Sequence, residues 1–499
     1  MRVVNTIVDS LDLSSLYGRY KEGGCPAYHP RMMLKVMIYS YSQKVYSSRM
    51  IAKALRENVN FMWIAGGNQP DFRTVNRFRL HMKDIIEDVF FEVVKLLIEK
   101  NYIKLQNYFL DGTKIEANAN KYSFVWNRSV CNYDRKLDEK IRNHLREIDR
   151  IVAEENQIYL EEDLEEKGEH TRITAEQVAA VVESIDKKLE QEPGNKQLKK
   201  KSKEFKKDIL PRKQKYEKSL KTFRGRNSYS KTDQDATFMR MKEDAMLNGQ
   251  LKPGYNIQIG TENRYIVGFT IHPNPTDTKT MIPHLRHLEE KLGCLPENVI
   301  ADAGYGSEEN YEYLEEKNVG CYVKYNKFHW EKKKKNRENP YLAENLPYLP
   351  ESDSFVCRNG KRLVHVGNRK YVTEAGYETR RDYYRCEDCS GCPYKEKCTK
   401  AKGNKKLYLS KNFLKKRQES YENILSEKGI LYRMNRTIQV EGAFGVLKND
   451  YEFQRFLLRG KTRVKLEILL LSLGYNLNKL HAKIQNGRTG SYLFEVKSA

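Results

Sequence analysis

The sequence predicts an α/β protein, a mixed sheet preceded by an all-helical region and interrupted by two insertions. Strand-like runs alternate with helical ones in the order strand, insertion, hairpin, helix, strand, helix, strand. Residues 28–98 show only helical periodicity. The stretch "NYFLDGTKIEANANKYSF" (107–124) adds chemistry to that outline. Its first half reads as a buried strand, yet Asp111 interrupts the apolar run and Glu116 follows. A carboxylate inside a core strand is costly to desolvate unless something pairs with it.

In the helical region, "YHPRMMLKVMIYSYSQ" sets Pro30 at a helix start and puts Met33, Val36, Met37 and Tyr41 near one face. "SSRMIAKALREN" opens on a serine cap, and "DFRTVNRFRLHMKDIIEDVFFEVVKLLIEK" leads into a long apolar helix. Short helices before a longer one suit a helix-turn-helix-like DNA-binding module and equally a helical packing domain. Arg73, Arg77 and Arg79 favour DNA.

After the first strand the character changes. Residues 134–192 hold eighteen Asp/Glu against ten Lys/Arg, and residues 195–226 hold fourteen Lys/Arg against three Asp/Glu. Ile141, Leu145, Ile148 and Val152 recur at helical spacing, as do Val178, Val181, Val182, Ile185 and Leu189. This reads as a charged helical insertion, either a solvated coiled coil or an arm that tracks DNA. "PGYNIQIGTENRYIVGFTIHPN" (253–274) is two β-rich runs joined at "TENR", a hairpin signature. "DTKTMIPHLRHLEEKLG" reads as a helix capped by Asp277, and "NVIADAGYGS" as a strand that stops at Asp302. Asp233 and Asp235, just before the hairpin, read as turn residues. Glu116 reads as a partner for Asp111 or as a simple ion pair.

With 499 residues the chain is long enough for more than one domain. Its formal charge of +23 and pI near 9.3 point to a polyanion, nucleic acid before membrane. No apolar stretch reaches the ~18–20 residues that cross a bilayer. The N-terminus lacks the continuous apolar run of a secretory signal. Nine cysteines, four of them within residues 386–398, suit a reducing compartment and a metal site. The expected location is the cytoplasm.

Asp302 shares the placement that makes Asp111 unusual, an acid at the end of an apolar strand. Downstream, "YRMNRTIQVEGAFGVLKNDYEFQRFLLRG" (432–460) offers Glu441 on a helix, with Lys448 and Arg455 at successive seven-residue steps on nearly the same side. Three carboxylates from two strands and a helix can hold two divalent ions against a phosphodiester. Hard oxygen ligands and a phosphate substrate favour Mg²⁺, with Mn²⁺ as a substitute.

These pieces resemble the DDE transposases of bacterial insertion sequences, with their RNase H-like catalytic domain. The resemblance rests on "YHPRMMLKVMIYSY", "SSRMIAKALREN", "PDFRTVNRFR", "FLDGTKIEANANKYSF", "TDQDATFM", "GYNIQI", "ADAGYGS" and "QVEGAFGVLKNDYEFQRFLLRG". It implies Asp111, Asp302 and Glu441 as the catalytic, metal-holding acids, and Tyr432, Arg436, Lys448 and Arg455 as DNA contacts. A related transposase group carries Tyr-x2-Arg-x3-Glu-x6-Lys. Glu441 and Lys448 keep the last spacing, whereas Tyr432, Arg436 and Glu441 each stand one residue further apart. The implied function is strand cleavage and strand transfer on double-stranded DNA, at the element's terminal repeats and in the target, by a homodimer assembled on DNA. The rivals are a nuclease of the same fold that joins no strands and an inactive DNA-binding relative.

The organisation that follows is a helical, DNA-binding domain over 1–100, core segments at 101–130, 228–330 and 411–499, a charged helical insertion at 131–227, and a cysteine-rich insertion at 331–410. That last insertion contains "YRCEDCSGCPYKEKC". Cys386, Cys389, Cys392 and Cys398 form a C-x2-C-x2-C-x5-C pattern that suits structural Zn²⁺, with free thiols and an iron–sulfur cluster as the alternatives. Cys357 and His365 are substitute ligands from the same insertion.

Overall fold

The computed structural model describes residues 1–20, 28–153, 172–191, 193–241, 249–373 and 376–488, with only the backbone of 149–153. The chain divides into two compact units, one of Met1–Ile115 with Asn256–Ala499 and one of Glu116–Tyr255. It is an α/β protein with a mixed sheet and a helical N-terminal region.

In the first unit the N-terminal helices run Arg2–Ser10, Pro30–Ser42, Ser48–Glu57, Val59–Ile64, Phe72–His81 and Ile86–Glu99. Pro30 sits in the first turn, where its missing N–H costs no helical bond. Met33, Val36, Met37 and Tyr41 are all buried, as their spacing predicts. Asp71 caps Phe72–His81 by accepting from Thr74 N at 2.7 Å. Helices Arg2–Ser10, Pro30–Ser42 and Ile86–Glu99 pack on the long helix Lys461–Gln485, which is apolar around most of its circumference. Its Gly474 lies so close to helix Pro30–Ser42 that an added Cβ would stand 2.7 Å from Ser42 N. Asn476 fastens the same helix to the sheet, giving and taking a 2.8 Å bond with the Ile266 backbone.

The strands are β1 (Asn107–Glu116), β2 (Phe124–Trp126), β3 (Ser228–Ser230), β4 (Thr237–Arg240), β5 (Leu251–Glu262), β6 (Tyr265–His272), β7 (Asn298–Ala301) and β8 (Gly320–Val323). The main sheet runs β4-β5-β1-β7-β8, with β6 also on β5. β1, β7 and β8 are parallel, and β5–β6 is an antiparallel hairpin. Its turn residues Asn263 and Arg264 both have positive φ, 50° and 66°, as a tight hairpin turn requires. Glu262 steadies the start of β1 by accepting from the amides of Lys104, Leu105, Gln106 and Asn107 at 2.6–3.2 Å.

The second unit has helices at Asn127–Ala153, Ala175–Gln191, Lys196–Glu204 and Leu210–Phe223. Ile141, Ile148, Val178, Val181, Ile185, Leu198 and Phe205 share one apolar core, so the two charged arms pack on each other. Opposite charges join them. Lys140 meets Glu204 at 2.7 Å, Lys206 meets Asp186 at 2.7 Å, and fully buried Lys213 meets Asp134 at 2.8 Å. Lys206 and Lys213 of the basic arm are thus paired with acids of its neighbour, while Lys140 of the acidic arm pairs in return with Glu204. Residues 154–171 of the acidic stretch lie outside the described residues.

The cysteine-rich insertion holds β9 (Tyr348–Leu349), β10 (Ser354–Val356), β11 (Arg362–Val372), β12 (Glu378–Cys386) and β13 (Lys406–Leu409) in one antiparallel sheet. Among the described residues no helix is long and apolar enough to cross a membrane.

Glu467 is buried in the long helix and accepts from Leu457 and Leu458 N at 3.1 and 3.0 Å. Burial pushes its carboxyl up to about 7, against the pull of those amides and of Arg79. A raised acid adds stability below its ordinary value near 4.5 and loses it as pH climbs through about 7. Thermal melts should therefore show wild type losing more stability than Glu467→Gln across that window.

Candidate active site

β1 and β7 pair in parallel, ending at Leu110↔Ala301. Asp111 and Asp302 are the next residues on these neighbouring strands. Buried Asp111 accepts its own following amide, Gly112 N, at 2.8 Å. Asp302 is half-buried at the start of a short 3₁₀ turn, Ala303–Tyr305. Burial alone would raise its carboxyl, but the Ala303 amide and the charges of Arg436, Lys324 and His329 outweigh it and hold it below its usual value. Lys324 Nζ stands 3.9 Å from Asp302 Oδ1.

The third acid is brought in by an irregular helix. Helix Glu427–Arg436 continues into a π-helical turn, Thr437–Glu441. A π turn bonds i to i+5, so it absorbs one extra residue. That accounts for the fourth residue between Arg436 and Glu441 where the related motif has three. Arg436 reaches both acids, with one amino group 3.0 Å from Asp111 Oδ2 and the other 2.9 Å from Glu441 Oε1. Its guanidinium is largely buried, so these charge-assisted bonds are strong.

The remaining expected DNA contacts take different positions. Tyr432 is buried edge-on against Tyr322 at 4.7 Å. Lys448 is also buried, and its Nζ donates to Lys114 O of β1 at 3.2 Å. Arg455 is exposed.

The structure also contains a polar network that the sequence reading missed. Asp277 does not cap the following helix, because Thr280 holds that position. Its Oδ1 instead accepts from Asn256 Nδ2 and Gln258 Nε2, each at 2.8 Å, and Gln258 Oε1 accepts from buried Tyr305. The carboxylate lies against the backbone beside both aspartates. A Cβ on Gly112 would stand 2.7 Å from Asp277 Oδ1, and one on Gly304 3.6 Å from Oδ2. The signal in the sequence was Asn256 and Gln258, two polar residues alternating within an apolar strand. Elsewhere, Glu116 pairs with Lys252 at 3.3 Å. Asp233 accepts from Asp235 N and Tyr255 OH at 3.3 and 2.8 Å, consistent with turn chemistry.

In the cysteine-rich insertion, Cys386, Cys389, Cys392 and Cys398 line one cavity of about 20 Å³, and Cys357 joins them. Cys389 Sγ accepts from Lys405 N at 3.3 Å. His365 pairs with Asp382 instead, at 3.1 Å. As the side chains stand, no group of three or more His, Cys, Asp or Glu among the described residues is arranged to hold a metal ion. Around the acids, positive charge comes from Arg436 and, beside Asp302, from Lys324.

Comparison with known families gives two matches. Residues 356–481 match the family described as Transposase DDE domain, and residues 1–81 match Transposase domain (DUF772). Both are consistent with a DDE-type transposase of insertion sequences, and such domains imply DNA as substrate. The first match includes Glu441 and the cysteine cluster, while Asp111 and Asp302 fall outside both. No curated protein and no solved structure matches the chain.

Gly112→Ala should lower stability by about 1–3 kcal/mol, because its methyl would drive into the amide–carboxylate network. A urea midpoint equal to wild type would show that the network yields freely.

Proposed function

We propose that this chain, with its two transposase domains, cleaves DNA at the ends of its own mobile element and joins the freed ends to target DNA. The observation that carries the reading is Arg436 bonded to both Asp111 and Glu441, beside the strand end that bears Asp302. The strand order β6-β5-β1-β7-β8, with β1, β7 and β8 parallel, supports an RNase H-like core.

The acids are the donor type a hard divalent cation takes, and Asp111, Asp302 and Glu441 would hold two Mg²⁺, or Mn²⁺ in their place. When bound, such ions lower the cost of ionising the attacking hydroxyl and of charge on the leaving oxygen. The chain supplies the rest. Arg436 holds Asp111 and Glu441 in register, and Lys448 braces the carbonyl of β1 three residues beyond Asp111. The Asp277 network fixes the backbone beside Asp111 and Asp302. Water attacks the phosphodiester at the element end, and the released 3′-hydroxyl then attacks the target strand. Arg455 contacts phosphate, and the N-terminal helices recognise the element ends. The active form is a homodimer on DNA in the bacterial cytoplasm.

Asp111→Asn, Asp302→Asn and Glu441→Gln should each abolish cleavage of element-end DNA while leaving its binding intact. Retained cleavage in any one removes that residue from the reaction. Strand-joined products separate this reading from a plain nuclease.

The four-cysteine motif, with Cys357 beside it, would hold a structural Zn²⁺, since thiolates are its preferred donors. Purified protein should carry about one zinc per chain, and Cys389→Ser with Cys392→Ser should lose it. A folded, metal-free wild type excludes the site.

A further inference from the structure

The sheet of the cysteine-rich insertion has two unlike faces. Leu363, Tyr384, Cys386 and Leu407 point one way, into an apolar cluster with Phe355. Side chains alternate along a strand, so their neighbours point the other way. The register then places Arg362, Arg369, Arg381, Arg385 and Lys406 together on the outer face. Arg369 stands opposite Arg381, Val364 opposite Arg385, and Arg385 opposite Lys406. The acids of β12, Glu378 and Asp382, fall on the other side, where Glu378 pairs with Lys370 at 2.6 Å and Asp382 with His365 at 3.1 Å. Among the described residues, none of the five outer cations is paired with a carboxylate.

Like charges directly across a sheet repel, so such pairs weaken the fold unless something offsets them. Tyrosines offset part of it. The Arg381 guanidinium lies 3.4 Å from the Tyr371 ring centre, and that of Arg369 lies 5.3 Å from Tyr383. Tyr383 in turn stacks on Tyr408, with ring centres 4.9 Å apart and planes within 19°. Tyr371 and Tyr408 remain 41% and 47% exposed. Duplex backbone contact needs only the cations. Exposed rings set among them are what unpaired bases stack on.

We propose that this outer face binds a single strand of DNA, with phosphates on Arg369, Arg385 and Lys406 and unpaired bases on Tyr371 and Tyr408. The inference rests on the transposase reading for its DNA, and it assigns the cysteine-rich insertion to holding a strand that cleavage or melting leaves unpaired. The base of the sheet is anchored by the apolar cluster. Its far end is tied to helix Glu308–Glu316 by Tyr377 OH to Glu312 Oε2 at 2.6 Å and Thr379 Oγ1 to Glu308 Oε2 at 2.9 Å. The platform is therefore fixed to the helix that follows Asp302.

The test uses the full chain, fluorescent oligothymidylate and a duplex of equal length, with anisotropy read over a range of salt and no magnesium. Arg369→Gln with Arg385→Gln and Lys406→Gln should flatten the single-strand slope of log affinity against log salt by ~2 units, at ~0.7 per contact. Tyr371→Ala with Tyr408→Ala should weaken oligothymidylate ~10-fold or more and leave the duplex unchanged. All five side chains are exposed, and melting curves should match wild type. Unchanged slopes and affinities overturn the proposal, as does a tyrosine variant that weakens duplex as much as single strand. Binding is read without cleavage, so the two readings fail separately. An active Asp302→Asn refutes the catalytic assignment alone, and normal binding by the surface variants refutes this one alone.

Discussion

One guanidinium sets the terms for the end of the sheet that carries Asp111 and Asp302. Arg436 places two amino groups between Asp111 on a central strand and Glu441 five residues further along its own helix. Without it, Asp111 would be a buried charge lacking its nearest compensation, a loss worth about 3–5 kcal/mol when one partner of such a pair is removed. The strand needs Asp111 to be there only if something else uses the carboxylate. An ion pair serving stability alone could be replaced by apolar side chains at little cost. A polar bridge on a central strand is therefore costly to keep for stability alone.

Keeping that bridge in place takes most of the first unit. The helix carrying Glu441 leads into Lys461–Gln485, which is pinned to the sheet through Asn476 and to the N-terminal helices through the close contact at Gly474. β1 is fixed at its start by Glu262 and beside Asp111 by the Asp277 network. Residues far apart in sequence thus share one rigid frame, and the two matched transposase regions, 1–81 and 356–481, lie at opposite ends of the chain that builds it.

The candidate acids could be picked out of the sequence because they break patterns. Asp111 and Asp302 interrupt apolar strands, and Glu441 sits on a helix with Lys448 at a two-turn interval. The helical N-terminus, the hairpin at Asn263–Arg264 and the charged insertion were equally legible from periodicity and turn chemistry. What stayed hidden depended on backbone geometry that no local pattern encodes. The altered Arg436-to-Glu441 spacing reads as a departure until the π turn shows that both side chains still share a face. Asp277 resembles a helix cap, since the amides that claim its carboxylate come from a strand some twenty residues earlier. Lys448 and Tyr432 look like surface contacts on a helical projection, but the strands packed over them bury both.

As a metal-holding carboxylate in DNA cleavage, beside the acids Arg436 gathers, Asp302 would owe its role to its hard oxygen donors. A cysteine there exchanges a hard oxygen donor for a soft sulfur one, which Mg²⁺ binds poorly and Mn²⁺ accepts more readily. The decisive measurement is cleavage of element-end DNA by Asp302→Cys in each metal. A metal-holding Asp302 predicts no cleavage with Mg²⁺ and recovered cleavage with Mn²⁺. Cleavage at the wild-type rate with Mg²⁺ would contradict it.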